Sequence, residues 1–255
     1  WAKAKLNGTV PVTGRIKTAP DARAKVMLPG GSTMRVGGAT DVRIEELMED
    51  RRSGTLRTRL RVLLGEITTE AKKLPTEQSR HEVLSGEATT AIRGTVFSVA
   101  HNQNVTRVVT YEGEVMTAAG GREVVIPEGA GTVIQQGRGP NAALAIPDPP
   151  EALQPQGDRF KTAAQRVAFV WEAAGKPTLE RRQKLRHSPI KRLADLGYRL
   201  EIAGDPEFVK LVQEVRTEGT RATSDLLTPG DYYWRLASVN AQGLRGAWSR
   251  TRELS

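Results

Sequence analysis

The 255-residue sequence predicts an all-β protein, and three observations carry that prediction. Short runs alternate apolar and polar residues, the pattern of half-buried strands. Turn residues, drawn from 25 glycines and 14 prolines, separate the runs. Val, Thr and Gly are abundant while aromatics make up only 5% of the chain, a composition that favours many short strands.

In chain order, "ARAKVMLPGGSTMRV" alternates Ala24, Val26 and Leu28, turns at Pro29-Gly30-Gly31, and resumes with Met34 and Val36. "VRIEEL" sets Val42 and Ile44 on one face, and Glu45 to Arg52 reads as a short helical turn or an acidic loop. "TLRTRLRVLLGEI" places Leu56, Leu60, Val62 and Leu64 on one parity and Arg57, Arg59 and Arg61 on the other, a strand with an arginine-studded wet face. "TAIRGTVFSVA", "TRVVTYEGEVMTA" and "REVVIPEGAGTVI" follow, broken by glycines. Strands at this spacing fit a sandwich, a jelly roll or a β-solenoid, and no fixed repeat chooses among them. Residues 140–158 are proline-rich and lack amphipathic period, which predicts an extended linker. Beyond it, Val167, Phe169 and Trp171, then Tyr198, Leu200 and Ile202, then Tyr232, Trp234 and Leu236 alternate again, the pattern and size of an immunoglobulin-like sandwich. The expected division is 1–139, a linker at 140–158, and 159–255 with an inserted segment at 176–196.

Several chemistries lack their residues. There is no cysteine, hence no thiolate nucleophile, disulfide or Cys-ligated zinc. His81, His101 and His187 are far apart and read as scattered surface histidines; no metal and no cofactor is expected. No phosphate-binding loop or nucleophile elbow occurs. Glu112 and Glu114 flank Gly113 at a turn and read as solvent-facing, and Glu45, Glu46, Glu49 and Asp50 lack the pattern of a calcium loop. No catalytic residue is expected. No apolar run reaches the ~18 residues that span a bilayer.

Charge points to one segment. The net charge is +9, and residues 176–192 hold Lys176, Arg181, Arg182, Lys184, Arg186, Lys191 and Arg192 against the single carboxylate Glu180. These seven cations are the candidate contact for an anionic partner, by local electrostatic steering. Nucleic acid is not expected, because no aromatics interleave with the cations as stacking platforms.

"IKTAPDARAKVMLPGGSTMRV", "LRVLLGEITTEAKK", "AIRGTVFSV", "VVTYEGEVMT" and "IPEGAGTVI" together resemble the FecR domain of bacterial envelope proteins. The resemblance implies that Arg93-Gly94-Thr95 is a conformational signature of an all-β domain, with Gly94 at a bulge or tight approach, and not a catalytic motif. "LTPGDYYWRLASVNAQGLRGAWS" is similar to a fibronectin type III-like module, with Tyr232 at that fold's tyrosine corner and Trp171 and Trp234 in its core. The pairing resembles a group in which a peptidoglycan-binding LysM domain often precedes the FecR domain. It implies a non-catalytic scaffold or adaptor in the periplasm or cell envelope of a bacterium, contacting an envelope protein or an anionic cell-wall polymer. The alternative is a FecR-type signal-relay regulator of an extracytoplasmic sigma factor pathway. Signalling members carry a cytoplasmic segment and a membrane span ahead of the domain.

Overall fold

The computed structural model describes residues 3–92, 94–155, 164–173 and 197–254. Thirteen strands form one continuous sheet in the N-terminal half: β1 (Arg15–Lys17), β2 (Ala24–Met27), β3 (Thr33–Val36), β4 (Asp41–Asp50), β5 (Thr55–Glu70), β6 (Arg80–Ser85), β7 (Ala88–Ile92), β8 (Val96–Asn102), β9 (Val105–Glu112), β10 (Glu114–Ala119), β11 (Arg122–Pro127), β12 (Ala130–Gln135) and β13 (Leu144–Ala145). The long strand β5 runs through both layers. Its first part pairs with β4 and β6, giving the layer β11-β10-β7-β6-β5-β4-β1; its last part pairs with β3 and β8, giving β2-β3-β5-β8-β9-β12-β13. The apolar faces of the two layers enclose one core that includes Met34, Ile44, Leu60, Ile67, Phe97, Val108 and Ile126. Among the described ladders only β5 with β6 is parallel. A solenoid would need stacked parallel ladders, so the N-terminal half is instead a curled, mostly antiparallel sheet folded over on itself.

The chain turns between layers where glycine permits it. Gly65 within β5, Gly94 between β7 and β8, Gly113 between β9 and β10 and Gly129 between β11 and β12 all have positive φ. At Gly65 (φ 86°) an added Cβ would lie 2.5 Å from the Cα of Thr40, so both the backbone angle and the space exclude a side chain. The bend reverses parity. Leu60 and Val62 are buried before it and Ile67 and Thr69 after it, while Leu64, expected on the buried parity, is exposed.

Two other local expectations are corrected. Glu45 to Asp50 is neither helical nor a loop: it is the end of β4, paired with β5 through a bulge at Glu45. The turn comes later, where Asp50 accepts hydrogen bonds from the Arg52 amide and the Ser53 hydroxyl. His81 is not at the surface. It lies buried on β6, its ring edge-on to Phe97, and burial lowers its pKa to about 4.

The C-terminal half has two sheets. One is β14 (Glu151–Gln154), β15 (Ala168–Glu172) and β18 (Arg221–Thr223); the other has the order β17 (Leu211–Thr217), β16 (Gly197–Ala203), β19 (Tyr232–Val239) and β20 (Arg252–Leu254). Their facing sides share a second core, where Phe169 meets Trp234 and Trp171 meets Tyr198 in edge-to-face contacts with ring centroids 5.0 and 5.5 Å apart. The Tyr232 hydroxyl donates to the Thr228 carbonyl at 2.8 Å.

The described part of the proline-rich segment, 140–155, is not a free spacer. Leu144 and Ala145 add β13 to β12, Ile146 is fully buried, and Glu151–Gln154 opens the next half as β14. Leu144 and Ile146 are two residues apart, so one strand face carries both into a small third cluster with Val109, Val133 and Leu244. That cluster joins the halves. No helix among the described residues is long and apolar enough to cross a membrane.

Candidate functional site

The two halves meet along a seam that combines apolar contact, arginine–carboxylate pairs and aromatic rings. It begins at Gly65. The bend turns the next side chain, Glu66, out of the first core, and the backbone of Glu66 is held on both sides: its amide donates to Thr40 Oγ1 at 3.0 Å and its carbonyl accepts from the Gly37 amide at 2.8 Å. The carboxylate then reaches the second half, accepting from Arg199 and Arg245, each at 3.0 Å.

Opposite it lies the outer face of the four-stranded sheet. Alternation that points Tyr198, Leu200 and Ile202 into the second core points Arg199 and Glu201 the other way. The register sets Glu214, Glu201 and Arg235 in one row across β17, β16 and β19. In an isolated sandwich this row would be wet. Here Glu201 is 2% exposed, accepting from Arg199 at 2.9 Å and from Arg235 Nη2 at 2.6 Å, with Arg23 of the first half 3.7 Å away. Arg23 also donates to Glu214 at 2.9 Å, and Lys25 and Arg35 both pair with Glu207.

Aromatic rings order the guanidinium groups. The Arg235 guanidinium lies between the rings of Phe208 and Trp248, 3.9 and 4.2 Å from their centroids, and Arg245 lies between Trp248 and Tyr111 at 4.7 and 5.2 Å. Such stacking strengthens when the cation is desolvated. Phe208 holds φ at 57°, a region bulky residues avoid, so its surroundings must enforce the conformation. They do so through Asp205, whose carboxylate accepts from the amides of Glu207, Val209 and Lys210.

Electrostatics follow from this crowding. Burial pushes the Glu66 carboxyl up, but Arg245 and Arg199 outweigh it and hold the pKa at about 2. Glu201 is likewise lowered: burial opposes its ionisation, and Arg199, Arg235 and Arg23 overcome that opposition. Arg199 is raised, because Glu66, Glu201 and Glu214 outweigh its own desolvation. Below the ionic part, Arg107 donates to the Gln242 carbonyl at 2.7 Å, and Leu244 packs over Gly131 of β12. That cover explains why five consecutive residues of β12, Ala130 to Ile134, are buried on both faces.

Between the halves the seam leaves a cleft of about 180 Å³. Its described cationic walls are Arg23, Lys25, Arg35, Arg199, Arg235 and Arg245. Among the described residues no group of three or more His, Asp or Glu is placed to hold a metal ion.

The residues singled out from sequence lie elsewhere. Gly94 (φ 76°) forms the β7–β8 corner, where an added Cβ would come within 3.0 Å of the Cα of Lys73, and Thr95 is buried beside it, its carbonyl accepting from the Ala71 amide. Trp171, Trp234 and Tyr232 belong to the second core. Glu112 and Glu114 face solvent. Arg93 and the seven cations Lys176, Arg181, Arg182, Lys184, Arg186, Lys191 and Arg192 lie outside the described residues. Sequence reasoning missed Glu66, Glu201, Arg199, Arg245 and Trp248. One signal was present: the apolar parity of β5 fails at Leu63-Leu64-Gly65, immediately before Glu66.

Comparison with known proteins gives a family for part of the chain. Residues 14–116 match the family described as FecR protein. No curated protein matches the chain. Among solved structures, a candidate anti-sigma factor from Parabacteroides distasonis ATCC 8503, at 2.50 Å resolution, is similar with a TM-score of 0.42 and 16% identity, over 49% of this chain and 56% of that one. A second structure so described, at 1.65 Å, gives 0.40 and 15% over the same shares. The extracellular domain of a candidate hybrid two-component system from B. thetaiotaomicron gives 0.23 and 10%, over 91% of this chain and 36% of that one. The chain thus spans little more than half of the first two structures it matches. The strands from β1 to the first half of β10 are the part of the molecule that matches the FecR family.

Proposed function

We propose that the chain is the receiving part of a FecR-type signal relay in the bacterial envelope, a non-catalytic protein that acts through contacts with partner proteins. The observation that carries this reading is the FecR match over residues 14–116. In this reading the protein has two domains, 1–139 and 159–255, joined by 140–158, whose strands β13 and β14 extend the sheets of the first and second domain in turn, and it works on the periplasmic or envelope side of the cell. The second domain is a fibronectin type III-like sandwich. Its strands divide three and four between two sheets, and the Tyr232 hydroxyl bonds backbone four residues upstream. The segment 176–196, rich in cations, is the candidate contact for an acidic partner surface.

A second reading, a scaffold bound to an anionic wall polymer, draws on the same cation-rich segment. Transcript profiling of cells with and without the gene separates the two. A relay predicts that one discrete set of co-regulated promoters changes when the gene is deleted. Unchanged transcripts, together with co-sedimentation of the protein with isolated cell-wall sacculi, would overturn the relay and favour the scaffold.

A further inference from the structure

We propose that the cleft between the two halves is a binding site for a small dianion, a phosphate or a short dicarboxylate. This goes beyond the relay reading and does not rest on it. The first observation is a charge imbalance. Six cations wall the cleft, and the carboxylates that serve them, Glu66, Glu201, Glu207 and Glu214, number four. Each carboxylate is shared by at least two cations: Arg199 and Arg245 at Glu66, Arg199 and Arg235 at Glu201, Lys25 and Arg35 at Glu207, Arg23 and Arg199 at Glu214. A bound dianion restores neutrality.

The second observation is unspent hydrogen-bonding capacity. Arg199 and Arg245 line the cleft, and each keeps a buried Nε–H with no acceptor among the described residues. Buried donors are normally satisfied, so an unsatisfied one calls for an explanation such as a water or an ion. The third is rigidity. The stack of Phe208, Arg235, Trp248 and Arg245 fixes guanidinium planes before any ligand arrives, and planar guanidinium forks match carboxylate and phosphate oxygens. A larger depression of about 240 Å³ over β5 and β6 is also charged, but it has neither an aromatic wall nor an orphaned donor among its lining residues.

The test is titration of the full chain with inorganic phosphate and, separately, with succinate, read by calorimetry and by the arginine Nε–H resonances in NMR. Saturable binding of either anion, with the Arg199 and Arg245 Nε–H signals shifting along the same isotherm, is expected; which anion binds identifies the ligand chemistry. Arg35→Glu and Lys25→Glu alter half-exposed rim cations and should fold normally by thermal melt, yet weaken binding about tenfold or more. No saturable response to either anion, or equal binding by both variants, would overturn the proposal.

Discussion

Two regions of this molecule use the same residues to opposite effect. On the outer face of β4, β5 and β6, Arg61 pairs with Glu45, and Arg59 pairs with Glu82 at 2.8 Å with its side chain 45% exposed. At the seam, Arg199, Arg235 and Arg23 surround Glu201, which is 2% exposed. The distances are alike; the surroundings are not. Exposed pairs gain little, because water and salt screen them and long side chains lose freedom. Buried pairs are costly to assemble and costlier to break, since the survivor is left charged without compensation. The contrast teaches that strand alternation assigns a face but does not say what covers it.

That contrast can be broken by substitution. The largest effect should come from Glu201→Ala, which leaves the buried Arg235 without its carboxylate and takes one partner each from Arg199 and Arg23; a loss of about 3–5 kcal/mol in chemical denaturation is expected. A loss below about 1 kcal/mol would put Glu201 in the same class as the surface pairs.

Next comes pH. The carboxyl of Glu66 falls from its ordinary 4.5 to about 2 in the folded protein. A lowered folded value contributes stability that is complete above the unfolded pKa and is lost as pH falls through the folded one, so the window runs from about pH 4.5 down to about 2. At most about 3 kcal/mol is at stake. His81 acts higher: neutral in the fold until about pH 4 against an ordinary 6.5, it withdraws stability as pH falls between those values. Glu66→Gln should therefore flatten only the lower part of the stability profile. A profile flattened equally above pH 5 would mean that Glu66 is not held by its arginines.

Gly94→Val probes a feature with no charge in it. The positive φ and the close approach to Lys73 predict a loss of about 1–3 kcal/mol in thermal or chemical denaturation. An unchanged melt would remove the corner explanation for Arg93-Gly94-Thr95. The smallest effect belongs to Glu82→Ala on the exposed ladder, less than about 1 kcal/mol and smaller still at high salt.

Much of the fold was legible from alternation. The hairpin of β2 and β3 pairs Ala24 with Val36 and Val26 with Met34, around the turn read at Pro29-Gly30-Gly31. Val42, Ile44, Leu60 and Val62 are buried, and Trp171 and Trp234 fill the second core. Period-2 patterns failed in two situations. A positive-φ glycine reversed parity in β5, which the paired leucines Leu63 and Leu64 before Gly65 signal but do not locate to a face. The polar face of β16 was covered by a neighbour far away in sequence, as Arg23 with Glu201 and Glu66 with Arg199 demonstrate. The site is assembled from the polar parity of several strands, so it left no local motif. His81 was misread because a lone histidine on a β-strand has the same local signature whether its face is wet or dry.

The most direct measurement is a pair of double-mutant cycles, Glu66→Ala with Arg245→Ala at the seam and Glu82→Ala with Arg59→Ala on the exposed ladder, each read by chemical denaturation at low and high salt. A buried, hydrogen-bonded seam predicts a coupling of about 2 kcal/mol or more for Glu66 and Arg245, little changed by salt. It predicts a coupling below about 0.5 kcal/mol for the ladder pair, screened away at high salt. Equal couplings that vanish together in salt would contradict a desolvated seam joining the two halves.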